Sequence, residues 1–311
     1  MMPKNESSNK AHSAVLGTTY EQRLIDTFGR HAKKLFKSKT GIVGLVIMVV
    51  VITTAIFAPY LAPHDPTHQD YSAMSQPPAW HEEGTAEYLL GTDHLGRDLL
   101  SRIIYGTRIS LIVGLVAVIL AGTVGMIIGL LSGFFGGICD AVFMRITDAF
   151  LAIPSILFAL VMLASIGPGV FTLILALGLT NWMAYARLVR GEVLSIRERD
   201  FVKAARSIGV SNGKIIVRHI LPNVLSSFIV VSALTVATTI IVEASLSFLG
   251  LGIQPPTISW GVMLSDGRDY LATNWWIATF PGLAITITVL GIIFIGDWLR
   301  DLLDPRSQGE H

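Results

Sequence analysis

Glu243 follows a stretch, Asn223 to Val242, that contains no Asp, Glu, Lys or Arg. A carboxylic acid in such surroundings is a functional candidate by default, because an ionisable group is costly to hold in an apolar medium. Two chemistries suit it. It could line a pathway and meet a cationic group, or it could accept hydrogen bonds from neighbouring backbone. Arg145 and Asp148 stand three residues apart in a second apolar stretch, one helical turn, which predicts a structural ion pair. His64, His68, His81 and His94 fall in one segment and raise the question of a metal. Pro66 between His64 and His68 prevents the helical i, i+4 geometry of a two-histidine site. The single cysteine, Cys139, lies elsewhere, and no organised carboxylate joins the histidines, so no metal is expected. No Ser-His-Asp, Cys-His, HExxH or paired-carboxylate pattern stands out, which argues against an enzyme.

The second chemistry-bearing stretch is basic. Arg187 to Asn223 holds eight Lys or Arg residues. Asp200 is placed to cap a short helix in which Phe201, Ala204, Ala205 and Ile208 recur at i, i+3, i+4 and i+7, with Lys203 and Arg206 pointing elsewhere. Gly209 is placed to close that helix in the left-handed conformation. Ser211 is then placed to cap a second helix carrying Ile215, Ile216 and Ile220, which should stop before Pro222. The expectation is a helix–turn–helix hairpin of about nine residues on each side. From the residues alone, contact with anionic lipid and docking of a protein partner remain open. Nucleotide binding does not. Gly209 and Gly213 enclose three residues where a phosphate loop needs four, and Ile215 stands where its Ser or Thr belongs.

These residues are set among elements built for lipid. The chain of 311 residues is 52% hydrophobic and 14% charged, with a mean hydropathy of +0.61, whereas soluble domains carry roughly 25% charged residues. A membrane span needs about 20 apolar residues. The charge-free runs, divided by the turn signal "IGPG" at Ile166–Gly169, give six. The expected order is a cytoplasmic N-terminal segment 1–40, a span 41–62, an external segment 63–107 with an amphipathic helix, then spans at 108–131, 140–165 and 169–187. A cytoplasmic loop 188–223, a span 224–246, an external loop 247–274, a span 275–296 and a cytoplasmic tail 297–311 complete it. Lys and Arg set the orientation: eight fall before Gly41, eight in Arg187–Asn223 and two after Gly296, against Arg97, Arg102, Arg108 and Arg268 on the other side. Positive residues stay inside, so both termini are expected in the cytoplasm. Trp275 and Trp276 fall where the last span should cross the outer interface.

The stretch "KAARSIGVSNGKIIVRHILPN" resembles the loop signature of bacterial ABC-importer permeases: Glu-Ala-Ala, three residues, Gly, about nine residues, then Ile-x-Leu-Pro. Ala204, Ala205, Gly209 and Ile220-Leu221-Pro222 match, and Lys203 stands in place of the motif's Glu. "LGTDHLGRDLLSRIIYGTRISL", "SLSFLGLGIQPPTISWGVMLSDG" and "GDWLRDLLDPR" resemble the C-type permease subunit of dipeptide, oligopeptide and nickel importers, so that the likeness covers roughly Lys39 to Arg306. The resemblance implies an all-α membrane protein with six transmembrane helices, the type I ABC importer permease fold, in the bacterial cytoplasmic membrane. It implies a second homologous permease, two cytosolic ATPase subunits, an external substrate-binding protein and a peptide substrate, with no nucleic acid. It implies that this chain binds no cofactor, ATP and Mg being held by the ATPase subunits. Asp200, Phe201, Lys203, Ala204, Ala205, Ile208, Gly209, Ser211 and Pro222 would then form the coupling hairpin that ATP-driven closure pushes. Import of nickel or another small solute is the alternative within the family. An ion-driven secondary transporter is the alternative outside it, and would need mid-membrane coupling groups, for which Glu243 and the Arg145–Asp148 pair are the only candidates.

Three further expectations concern shape. Proline-rich "APHDPTH" and "QPPAW" predict an irregular start to the external segment, with Thr92 or Asp93 capping a helix whose apolar stripe is Leu99, Leu100, Ile103 and Ile104. That segment, being external, is the candidate contact for the substrate-binding protein. Pro154, Pro168 and Pro281 fall in or near spans. Gly125, Gly129 and Gly133 repeat every four residues, a pattern that brings helices close, either within the chain or against a second permease.

Overall fold

The computed structural model describes residues 38–303. Most of the expected N-terminal segment (1–37) and the end of the tail (304–311) lie outside the described residues. Helix α1 (Lys39–Ile56) is capped by Ser38, whose Oγ accepts from the Gly41 amide at 3.1 Å. The long helix α2 (Leu99–Phe135) is followed by α3 (Gly137–Leu151) and α4 (Ser155–Ile166), then α5 (Val170–Arg197). A short α6 (Asp200–Ser207) precedes α7 (Asn212–Phe248), α8 (Trp260–Gly267) and α9 (Trp276–Leu303). Helices α1, α2, α5, α7 and α9 are each long and apolar enough to cross a membrane, and α3 with α4, taken as one bent pair, would make a sixth.

A break bends the expected span 140–165. Helices α3 and α4 meet at 81°, because Pro154 has no amide to donate and its ring pushes Ile153 out of helical geometry. A correction concerns the outer helix before the second span. Its stripe residues belong to the first turns of α2 itself, which runs 37 residues without interruption. The cap is Asp98, whose carboxylate accepts from the Ser101 amide at 3.0 Å; Thr92 instead accepts from the Gln76 amide and donates to the Ala73 carbonyl. The segment between α1 and α2 holds a short helix (Ala58–Leu61) and one 3-10 turn (Tyr71–Ala73), and the rest is irregular, stitched by such bonds. Gly96, at φ +73°, lies so close to Asp70 that an added Cβ would sit 1.8 Å from its carbonyl oxygen.

The glycine repeat is used within the chain. Gly125, Gly129 and Gly133 of α2 face Tyr185, Val189 and Val193 of α5, and an added Cβ at Gly129 would fall 2.6 Å from the Val189 Cβ. A second close crossing sets Gly44 of α1 on Phe294 of α9 and Gly291 of α9 on Ile47 of α1. Small residues let apolar helices approach where lipid offers no hydrophobic drive for association. The remaining apolar face of α1 (Val43, Val46, Val49, Val50) is exposed.

Helix α8 packs along the start of α2. Its N-terminal residue Trp260 donates its amide to Ser110 of α2, and its C-terminal Asp266 reaches Arg102, two turns nearer the N-terminal end of the same helix. It therefore runs antiparallel to the start of α2. The Trp276 indole, buried, donates to the Thr92 carbonyl at 3.1 Å and ties α9 to the external segment.

Candidate functional site

The basic stretch folds into a hairpin joining α5 to α7. Asp200 lies in the first helical turn of α6, with Arg199 at the cap position. The inward face of α6 is Val202 and Ala205, which join Phe134, Val189, Val193, Ile196, Ile215, Ile220 and Val224 in one apolar cluster. The expected shared face of Phe201, Ala204, Ala205 and Ile208 is therefore divided. Ala205 is buried at 7%, while Phe201 at 41%, Ala204 and Ile208 at 80% face outward. Val202 is the anchor that the motif reading missed, and its spacing of three from Ala205 was the available signal.

Gly209 takes φ +80° and ends the helix. Its amide donates to the Arg206 carbonyl and the Val210 amide donates to the Ala205 carbonyl, which satisfies the last turn. Ser211 occupies the cap position of α7, but its side chain makes no capping bond. Pro222 does not stop this second helix. Residues Ile216–Ile220 widen into one π-helical turn, in which the Leu221 amide reaches back five residues to the Ile216 carbonyl. The wider turn relieves the clash a proline ring makes with the preceding turn, so α7 passes through it. The hairpin's second arm is thus continuous with a membrane span.

Charge rims the outward face. Lys203 lies 3.4 Å from Glu198 at the surface, and the Arg206 guanidinium stacks 4.9 Å from the Phe134 ring centroid. The hairpin presents an apolar patch of Phe201, Ala204 and Ile208 on a rigid base, with basic residues at its edge.

The other predicted residues are placed differently. Asp148 accepts from Arg187 of α5 at 2.6 Å, not from Arg145, which is exposed. Asp140 takes both Arg190 Nε (2.5 Å) and Nη2 (2.6 Å). The broken pair α3–α4 is therefore fastened to α5, and the i, i+3 pairing expected within α3 gives way to partners on a neighbouring helix. Glu243 is 0% exposed, its carboxylate surrounded by Ser110, Ser247 and Ser259, so in this structure it has no surface with which to line a pathway. His94 stacks on Tyr270, and His64 packs on Tyr88, 3.4 Å from Asp98. Among the described residues no three His, Cys, Asp or Glu side chains gather in a geometry that could hold a metal.

At the start of α2, a cleft of about 490 Å³ is walled by His94, Arg97, Arg102, Pro256 and Asp266. Its charges form a closed ring: Asp93 and Asp266 each bridge Arg97 and Arg102, at 2.6–3.0 Å. The Asp93/Arg97 spacing of four was legible in the sequence, but Asp266 was not.

A family profile described as binding-protein-dependent transport system inner membrane component matches residues 125–309, and one described as the N-terminal TM domain of oligopeptide transport permease C matches residues 27–78. The chain is 44% identical over 300 residues to the dipeptide transport system permease protein DppC of Escherichia coli strain K12, covering 96% of this chain and 98% of that protein. It is 42% identical over 269 residues to the di/tripeptide transport system permease protein DppC of Pseudomonas aeruginosa strain UCBPP-PA14, covering 86% and 89%. Among solved structures, an inward-facing form of the MetNI methionine ABC transporter matches with a TM-score of 0.55 at 20% identity, covering 66% of this chain and 98% of that one. That likeness is one of fold.

Proposed function

The chain belongs to the family of binding-protein-dependent transport system inner membrane components, and from that premise we propose that it passes di- or oligopeptides through the membrane in a complex driven by separate ATPase subunits. It is a multi-pass inner-membrane permease subunit of an ABC importer. The peptide reading is supported by relatives that cover nearly the whole chain and are dipeptide permeases by name. The complex comprises a second, homologous permease, two cytosolic ATPase subunits and an external binding protein. ATP and Mg belong to the ATPases.

The observation that carries this reading is the division of α6 into two faces. Val202 and Ala205 lock the helix to the ends of α2, α5 and α7, while Phe201 and Ile208 stay exposed. The grouping of exposed Phe201, Ala204 and Ile208 on one side of α6, with basic residues at its edge, supports a partner surface there. A push on that face is carried into α7 through the packing of Val202 and Ala205 on Ile215, Ile220 and Val224, and then along α7 unbroken, since the π-helical turn keeps that arm continuous with the span. The chain is thus lever and pore, exposing the central path alternately to each side. Enclosure of Glu243 by hydroxyls counts against an ion-driven pathway through it.

The test is reconstitution of the complete complex in vesicles with the binding protein and a radiolabelled dipeptide. ATP-dependent accumulation is expected. Accumulation of nickel or another small solute with no uptake of peptide would overturn the substrate assignment, and transport without any co-purifying ATPase would overturn the coupling.

A further inference from the structure

Glu243 is the convergence point of three relays. Ser247 and Ser259 donate their hydroxyls to Oε1 at 3.0 and 3.1 Å, and Ser110 donates to Oε2 at 3.4 Å. Each serine oxygen in turn accepts a backbone amide: Ile253 on Ser247 at 3.2 Å, Val262 on Ser259 at 3.3 Å and Trp260 on Ser110 at 3.3 Å. The four side chains are at most 2% exposed. No Lys, Arg or His pairs with the carboxylate among the described residues.

A hydroxyl has one proton. Once its oxygen receives an N–H, that proton is free to point at the carboxylate, so the polarity of all three relays runs one way, from backbone to Glu243. Chains of hydrogen bonds reinforce each other in a low-dielectric interior. The three amides belong to the loop after α7 and the first turn of α8, while Ser110 belongs to α2 and Glu243 to α7. One carboxylate therefore sets where the outer re-entrant segment sits on two spans. Gly261 completes the fit: an added Cβ there would fall 2.7 Å from the Ser247 Cβ and 3.1 Å from Glu243 Oε1. The far end of α8 is held separately by the Asp266 contacts with Arg97 and Arg102.

We propose that Glu243 is the positioning residue of the outer mouth, fixing residues 249–262 so that α8 moves as one body with α2 and α7 during transport. It touches no substrate. Its service is to keep the outer mouth closed to water whenever the hairpin side is open, which ties substrate passage to ATP turnover. This inference rests on the permease reading above.

The test uses the reconstituted complex with its binding protein, in a Cys139→Ser background carrying Val262→Cys. Val262 is 4% exposed on α8 and its side chain takes no part in the relays. In the parent, a membrane-impermeant maleimide added outside should label Val262→Cys slowly. Glu243→Gln turns one acceptor into a donor and breaks a relay. It should leave ATP hydrolysis within about twofold, lower uptake per ATP at least tenfold and raise the labelling rate at least tenfold. A role in folding alone would lower ATPase and uptake together and leave their ratio unchanged, which would overturn the proposal. So would parent-like labelling. If Glu243→Gln fails to assemble, Ser110→Ala, which removes a single relay, should lower uptake per ATP about threefold, and an unchanged ratio there would overturn the proposal equally. Absence of ATP-driven uptake in the parent would instead refute the permease reading.

Discussion

Arg102 and Asp266, 164 residues apart in sequence, meet at 3.0 Å with the arginine side chain 3% exposed. The same aspartate oxygen is 3.0 Å from Arg97. The contact joins the start of α2 to the end of α8, and with Asp93 it makes a ring in which every charge has two opposite neighbours. A buried charge tolerates its surroundings only while it remains paired.

Arg102→Met should therefore destabilise the purified complex by about 3–5 kcal/mol, since it leaves buried Asp93 and half-buried Asp266 with one arginine between them. Arg268, half exposed beside Asp269, is the contrast: Arg268→Ala should change stability by less than about 1 kcal/mol. Thermal unfolding of both variants in the same detergent checks the difference.

The α2–α5 crossing makes a steric prediction. Gly129→Ala places a Cβ 2.6 Å from the Val189 Cβ and 2.8 Å from the Ala186 carbonyl, so neither neighbour can move without shifting α5. Overpacking of this kind costs about 1–3 kcal/mol. Gly191→Ala, on the same helix pair but with nothing within 4 Å of its added Cβ, should be neutral or stabilising by up to about 1 kcal/mol, from helix propensity alone. Melting temperatures decide between the two.

The external segment carries a pH prediction. Side-chain and backbone hydrogen bonds from Ser72 hold the Asp70 carboxyl below its ordinary value. A depressed carboxyl contributes stability that is present above the unfolded value, about 3.9, and lost as pH falls through the folded one. Protease resistance of residues 62–98 should be flat from pH 5 to 8 and fall below about pH 4. Asp70→Ala should remove part of that acid dependence.

Much of this architecture was legible in the sequence, and the failures share one cause. Charge-free runs revealed the long apolar helices, and Gly209 announced the end of α6 because its conformation is a local property. Arg145 and Asp148 satisfied a local rule too, but Arg187 on α5 offered Asp148 a better partner that no spacing within α3 could reveal. Pro222 carried a stop signal that a π-helical turn overrode. Ser247, four residues after Glu243, could have been named as its partner from helical spacing. Ser110 and Ser259 arrive from other elements, so the relays emerge only once α2, α7 and α8 are packed together. The division of α6 likewise depends on which side meets the ends of the spans, a tertiary fact.

The coupling hairpin is the claim on which the functional account turns, and ATPase retention by an Ile208→Glu variant tests it most directly. Ile208 is exposed and supports no packing in the isolated chain, so the variant should insert and melt like the parent. A charge on the apolar docking patch should cut the amount of ATPase co-purifying with the complex at least tenfold, and uptake with it. Full ATPase retention together with parental uptake would contradict the account.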